Sequence, residues 1–324
     1  SSHISRRPRP EGLTPGPAHP WASAPAPRAG QMDALLLQRF HPEEYHRRFL
    51  ADGVRPDGRA PATRRPSRLQ PAALAAAFGS ASVRLGGSSA VAGVRAECTE
   101  ASPELPALGH VTTTVELPPL CSSAFRDRHV AAGTSTFLAS ALNDVLNSPH
   151  VLDAAQLHIR EGELYWTLHV HVVCLNYDGN AFDLCVLAAL AALEDTLLPA
   201  LGEGSAAPSE GAGPLRLVAL PTGSPGAVSE ARQLLLKSRP LPVTFARLPG
   251  DVWVLDPSAG EEALGASVSL CLVGGRWLVY HRGGGATAER FLSELMPLAR
   301  GSVPALAELL DGARRAAALA GGKL

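Results

Sequence analysis

Leu164-Tyr-Trp-Thr-Leu-His-Val-His-Val-Val-Cys-Leu-Asn-Tyr-Asp-Gly-Asn-Ala-Phe-Asp183 carries the change of period that decides the fold. Up to Cys174 the period is two. Leu164, Trp166, Leu168, Val170, Val172 and Cys174 share one side of a strand, with Tyr165, Thr167, His169 and His171 on the other. Asp178-Gly179 is a turn signal. The most apolar stretch, Leu184 to Leu201, follows and reads as a buried helix. Glu194, Asp195 and Pro199 interrupt it too often for a transmembrane span. A strand, a turn and a buried helix in direct succession predict an α+β protein.

Upstream, Thr134 to Asn147 puts Phe137, Leu138, Ala141, Leu142, Val145 and Leu146 on one helical face, opposite Ser140, Asn143, Asp144 and Asn147. Ser80 to Leu85 and Ser88 to Glu97 are β-rich runs flanking Gly86-Gly87, a hairpin signal. Arg55-Pro-Asp-Gly-Arg59 is a tight turn with Pro second and Gly fourth. From Met32, a candidate start, Leu36, Phe40, Tyr45 and Phe49 are spaced for helix, with Pro42 opening a second segment. Residues 1–31, rich in Pro, Ala and Arg, predict a disordered extension; Arg6-Arg7-Pro-Arg9 within it reads as a solvated tail. Downstream, Gly202 to Pro214 has linker composition. Strands are expected at Arg216 to Leu220, Pro242 to Arg247, Val252 to Asp256, Ser267 to Val273 and Trp277 to His281, and helices at Ala288 to Ala299 and Val303 to Leu319. The organisation predicted is two α+β domains, 32–201 and 215–324, joined by the linker 202–214.

The chain has 324 residues, 46% hydrophobic and 18% charged, which is enough apolar material for a large core. Its net charge of −1 gives no overall pull towards nucleic acid, so any RNA contact must come from a local patch. Five cysteines without a CxxC pair fit free thiols in a reducing compartment. His169 and His171 project together, but no third ligand is spaced to complete a metal site. Gly283-Gly-Gly285 before a helix lacks the rest of a phosphate-binding motif and reads as a tight turn. No nucleophile elbow is present. Cys121 would need a base to become a nucleophile. The loop Pro118-Pro-Leu-Cys-Ser-Ser123, followed by Arg126, Asp127, Arg128 and His129, is the densest basic loop; Arg126 and Arg128 are the candidates for backbone contact with RNA.

Four segments in order resemble the RNase PH family, and within it the RNase PH-like ring subunits of the RNA exosome. They are Arg55-Pro-Asp-Gly-Arg59, the hairpin Gly79 to Glu97, Asn176-Tyr-Asp-Gly-Asn180, and Leu255-Asp-Pro257 with Glu261-Glu262. Pro118 to Ser123, with Tyr45, Phe49 and Leu50 ahead of the Arg-Pro-Asp-Gly turn, resembles the non-catalytic ring members. The resemblance implies a first domain like the second domain of ribosomal protein S5 and a smaller RNase PH second domain. It also implies pairing with other RNase PH-like subunits in a six-membered ring, cap subunits of S1/KH type, and RNA in a central channel. A nuclear, nucleolar and cytoplasmic location is expected on the same ground.

Active members of that family cleave RNA from its 3′ end with phosphate as nucleophile, which needs cations for the phosphate and carboxylates for a metal or a proton. Where they carry Gly-Thr-Arg after Asp-Gly, this chain has Asn180, Ala181 and Phe182. Ser140, Asp144 and Asn147 fall where they carry helix arginines. Their pair of aspartates maps onto Asp256 and Glu262. The resemblance therefore implies a non-catalytic subunit that needs no cofactor or metal. The alternative is an active phosphate-dependent exoribonuclease with a composite site at a dimer interface.

Overall fold

The computed structural model describes residues 29–100, 109–160, 163–203, 217–220, 227–229, 232–282 and 291–321. Residues 1–28, most of the linker and Gly283-Gly-Gly285 lie outside them. The two opening helices, α1 (Ala29–Phe40) and α2 (Pro42–Ala51), break at His41, where Pro42 begins the second with its missing N–H. In the Arg55–Arg59 turn, Gly58 at φ +83° donates to the Arg55 carbonyl at 2.9 Å.

The first sheet is six-stranded. Its path runs β1 (Ser67–Pro71), β2 (Gly79–Leu85), β3 (Ser88–Glu100), β6 (Leu164–Asn176), β4 (His110–Glu116), with β5 (His158–Arg160) also on β6. The Gly86-Gly87 hairpin forms as read, with Leu85 opposite Ser88. Strand β6 keeps its period of two, and all six residues assigned to its apolar side are buried. Its other side is not uniformly wet, because Tyr165 and Thr167 are buried too. Strand β4 escaped the sequence reading. It pairs in parallel with β6, and its far edge is met by α3 (Arg128–Leu146). Asn147 there accepts from the Val111 N–H at 2.8 Å and donates to its carbonyl at 2.7 Å, while Asn143 accepts from Thr113 N–H at 2.8 Å. The polar face read on this helix thus closes a strand edge that would otherwise lack partners.

The apolar stretch splits where its acids begin: α4 runs Ala181–Glu194, and Leu197–Leu198 form a short strand, β7, rather than more helix. Asp195 caps the helix end. Every residue of α4 from Ala181 to Leu193 is buried. The reason is its place between two sheets. One face lies on β2, β3 and β6, and the other on β12 (Leu241–Leu248). The second sheet is four-stranded, ordered β13 (Val252–Leu255), β12, β14 (Ser267–Val273), β15 (Arg276–Arg282). One continuous apolar cluster reaches from Ala81 to Leu310 and includes both sheets and α4.

Small sheets lie between: β7 pairs β11 (Arg232–Gln233), and β8 (Ala200–Glu203) pairs β9 (Leu217–Leu220) and β10 (Ala227–Ser229). Among the described residues at the end of the chain, one α-helix, α6 (Met296–Gly321), takes in both the end of the first expected helix and the second, preceded by a π turn over Phe291–Leu295; Ala288 to Arg290 lie outside the described residues. Pro304 lies inside it, where the sequence reading placed the start of a separate helix. None of the described helices is long and apolar enough to cross a membrane.

Candidate functional site

The two segments singled out in the sequence meet. Gly179 (φ +80°) and Asn180 (φ +57°) turn the chain from β6 into α4. The approach is close: a Cβ on Gly179 would stand 2.4 Å from the backbone of Ser258, so glycine is required for space as well as for φ. Asn180 then holds both carboxylates of the mapped pair. Its side chain donates to Asp256 Oδ1 at 2.6 Å, and its N–H donates to Glu262 Oε1 at 2.8 Å. Tyr177 donates its hydroxyl to the second oxygen of Glu262.

Arginines from the segment 55–65 fill the rest. Arg65 donates its N–H and Nε to Asp256 Oδ2 at 2.8 and 3.0 Å, and Nη2 to Oδ1 at 2.9 Å. Burial alone would raise the Asp256 carboxyl, but hydrogen bonds and charge from Arg65 outweigh it and hold the group at about 2. Arg55, fully buried, grips Glu261 through two nitrogens and donates to the Leu255 carbonyl at 2.7 Å and the Asp256 carbonyl at 3.0 Å. Glu261 in turn accepts from the Ser258 N–H at 2.7 Å, capping α5 (Ala259–Glu262). Arg64 pairs with Asp183, which also accepts from Thr244 Oγ1 at 2.6 Å. This network ties the Arg55–Arg65 segment to α4 and to the second sheet.

Chemically, such a cluster is spent. Arg55, Arg64 and Arg65 are each committed to an internal carboxylate, and Asp256 is saturated by Arg65 and Asn180. A phosphate arriving here would have to displace a buried ion pair to find a cation. Ala181 and Phe182 are both buried, the Phe182 ring lying 5.2 Å from that of Tyr280. Neither offers a donor side chain to an anion.

Elsewhere, Arg126 and Arg128 are exposed at the start of α3, whose first turn is capped by Asp127 accepting from the His129 N–H at 2.8 Å. No ion pair engages either arginine among the described residues. His169 and His171 face Glu97 at 3.3 Å and Glu116 at 3.1 Å. The Cys121 thiol is buried and pushed up by that burial, the opposite of an activated nucleophile.

Sequence reasoning missed Arg64, Arg65 and Asp183 as pairing residues, and read Arg55 as part of a turn and of the family resemblance without a partner. One signal was present: Asp183 is an acid in the first turn of an otherwise apolar helix, and a charge in such a place demands a partner. The partner's identity was not legible, since Arg64 lies 119 residues away.

Residues 63–199 match the family described as 3′ exoribonuclease family, domain 1, of the RNase PH type. Exosome complex component Rrp42 of Methanothermobacter thermautotrophicus is 30% identical over 265 residues, covering 79% of this chain and 89% of its own. The chain belongs to the RNase PH family. Other relatives agree. Exosome complex component rrp43 of Schizosaccharomyces pombe is 32% identical over 164 residues, 51% of this chain and 60% of that protein. Among solved structures, a chain of the Archaeoglobus fulgidus exosome with RNA bound to the active site superposes with a TM-score of 0.68 at 25% identity, covering 85% of this chain and 98% of that one. The fold expected from the RNase PH resemblance is the one observed.

Proposed function

We propose that this RNase PH-family chain is a structural, non-catalytic subunit of an RNA exosome ring, in the place that rrp43 represents among its relatives. The observation that carries this is the saturated charge cluster. The arginines at the mapped carboxylates are consumed in holding the fold together, and Phe182 stands where an anion ligand would be needed. A ring subunit needs a rigid body and binding surfaces, and that cluster supplies rigidity. Its partners would be other RNase PH-like subunits and caps of S1/KH type. RNA passing through the channel would meet Arg126 and Arg128 as weak backbone contacts. Nuclear, nucleolar and cytoplasmic placement belongs to the same proposal.

The test is purification of the chain from cells with its partners, followed by an assay for phosphate-dependent release of nucleoside diphosphates from RNA. Recovery of other ring and cap subunits, with no phosphate-dependent release by the eluate or by the isolated chain, supports the reading. A self-assembled oligomer that releases nucleoside diphosphates overturns it.

A further inference from the structure

Strand β1 is the edge of the six-stranded sheet, and its hydrogen-bonding direction can be fixed. Gly86 donates to the Pro66 carbonyl at 3.0 Å, and Ala72 donates to the Ser80 carbonyl at 2.8 Å, at the two ends of the β1–β2 ladder. In an antiparallel ladder the residues that face the partner alternate. Arg68 and Gln70 therefore face β2. Ser67, Leu69 and Pro71 turn their backbone groups outward. No hydrogen bond engages the Ser67 or Leu69 backbone on that side among the described residues.

Beside this edge lies a groove bordered by α6. A hollow of about 570 Å³ is lined by Arg68, Leu69, Arg84, Glu308, Leu309 and Ala313. A second of about 390 Å³ continues past Leu69 and Ala313 to Pro71, Leu310 and Arg314; its acids, Glu194 and Asp195, are already engaged by Arg239 and by the Ala72 and Ser80 N–H groups. The groove thus runs along the open edge, with Leu69, Leu309, Leu310 and Ala313 as its apolar wall between charged ends.

Its charge is uneven. Arg68 and Arg84 are directly opposite one another across the β1–β2 ladder, and both are exposed. Like charges in that position repel, and neither arginine has an ion pair among the described residues. Arg84 donates only to the Gly86 carbonyl, at 3.0 Å. The natural complement is a carboxylate group beside the strand edge.

We propose that the outer edge of β1 and the groove along α6 receive an extended acidic peptide from a partner protein, added to the sheet as one more strand. Backbone pairing at Ser67 and Leu69 supplies the docking, Leu69, Leu309 and Ala313 seat its apolar side chains, and Arg68 with Arg84 takes its carboxylate. RNA is the poorer fit, because a phosphate backbone lacks the alternating donors and acceptors that pair with a strand edge.

The test uses the full chain and a synthetic peptide alternating Val and Asp, with a Val and Lys peptide as control. Binding of the acidic peptide should slow amide exchange at Ser67 and Leu69 and leave Arg68 and Gln70, already paired to β2, unchanged. R68E/R84E should weaken it by about tenfold or more. R68Q/R84Q, a milder change of the same surface residues, should weaken it to a lesser degree, with the far-UV spectrum showing the fold intact. Equal binding of the lysine peptide, exchange that slows without alternation, or binding of single-stranded RNA alone would overturn the proposal. So would finding Ser67 and Leu69 already protected in the assembled complex without peptide, since the edge would then be a contact between ring subunits.

Discussion

Replacing Arg55 with Met should bring this protein close to the limit of stability. The side chain is fully buried, and Glu261 is 2% exposed. Arg55→Met leaves that carboxylate with only its Ser258 partners and orphans the Leu255 carbonyl, bonded at 2.7 Å, while the Asp256 carbonyl keeps Arg59 at 3.3 Å. Removing one member of a buried pair costs about 3–5 kcal/mol. The orphaned carbonyl adds about 1 kcal/mol. The loss expected is about 4–6 kcal/mol, against a total of roughly 5–15 kcal/mol for proteins in general. Urea unfolding followed by far-UV circular dichroism measures it. Arg47→Met is the control. Its pair with Glu44 is exposed, 67% on the arginine side, and its loss should leave the urea midpoint nearly unchanged. R55M/E261M, which removes both charges, should recover part of the loss. The reasoning fails if R55M costs less than about 1 kcal/mol, or if the double variant is worse than the sum of the singles.

Reinstating the family's side chains as A181T/F182R should not create phosphorolysis and should destabilise by about 2–4 kcal/mol, because Phe182 is 4% exposed against Tyr280; urea unfolding and a nucleoside-diphosphate release assay read both effects. Asp256 has a folded value of about 2 against an ordinary 3.8. Its contribution, on the order of 2 kcal/mol, is fully present above pH ~4 and is lost as pH falls towards ~2; an acid titration of stability should show this slope, and R65M should flatten it. Asn147→Ala deletes both bonds to Val111, at 2.8 and 2.7 Å, and should cost about 2 kcal/mol, with faster amide exchange at Val111 and little change at Val170, inside β6.

Local signals carried much of the fold. The Gly86-Gly87 hairpin, the Arg55–Arg59 turn, the alternation of β6 and the apolar run of α4 are each set by neighbours in sequence, so propensity and period sufficed. Strand β4 was invisible for the opposite reason: its parallel partner β6 begins 48 residues beyond its end, and its free edge is satisfied by asparagine side chains from a helix. The site divides in the same way. Asp256, Glu262, Ala181 and Phe182 were found because a motif placed them. Arg55 with Glu261, 206 residues apart, and Arg64 with Asp183 could not be found, because nothing local says which carboxylate an arginine will reach.

Helix α4 has a consequence for how the protein is made. It is complete at Glu194, yet the strand that covers its second face, β12, starts at Leu241, and that strand's neighbour β14 ends only at Val273. A chain growing from the ribosome therefore carries a finished but half-covered apolar helix while about eighty further residues are added. During that interval the nascent chain is a substrate for chaperones and a hazard to its neighbours. A protein ending before β12 would never leave that state. Nonsense changes in the middle of the sequence should accordingly yield aggregates rather than a working first half.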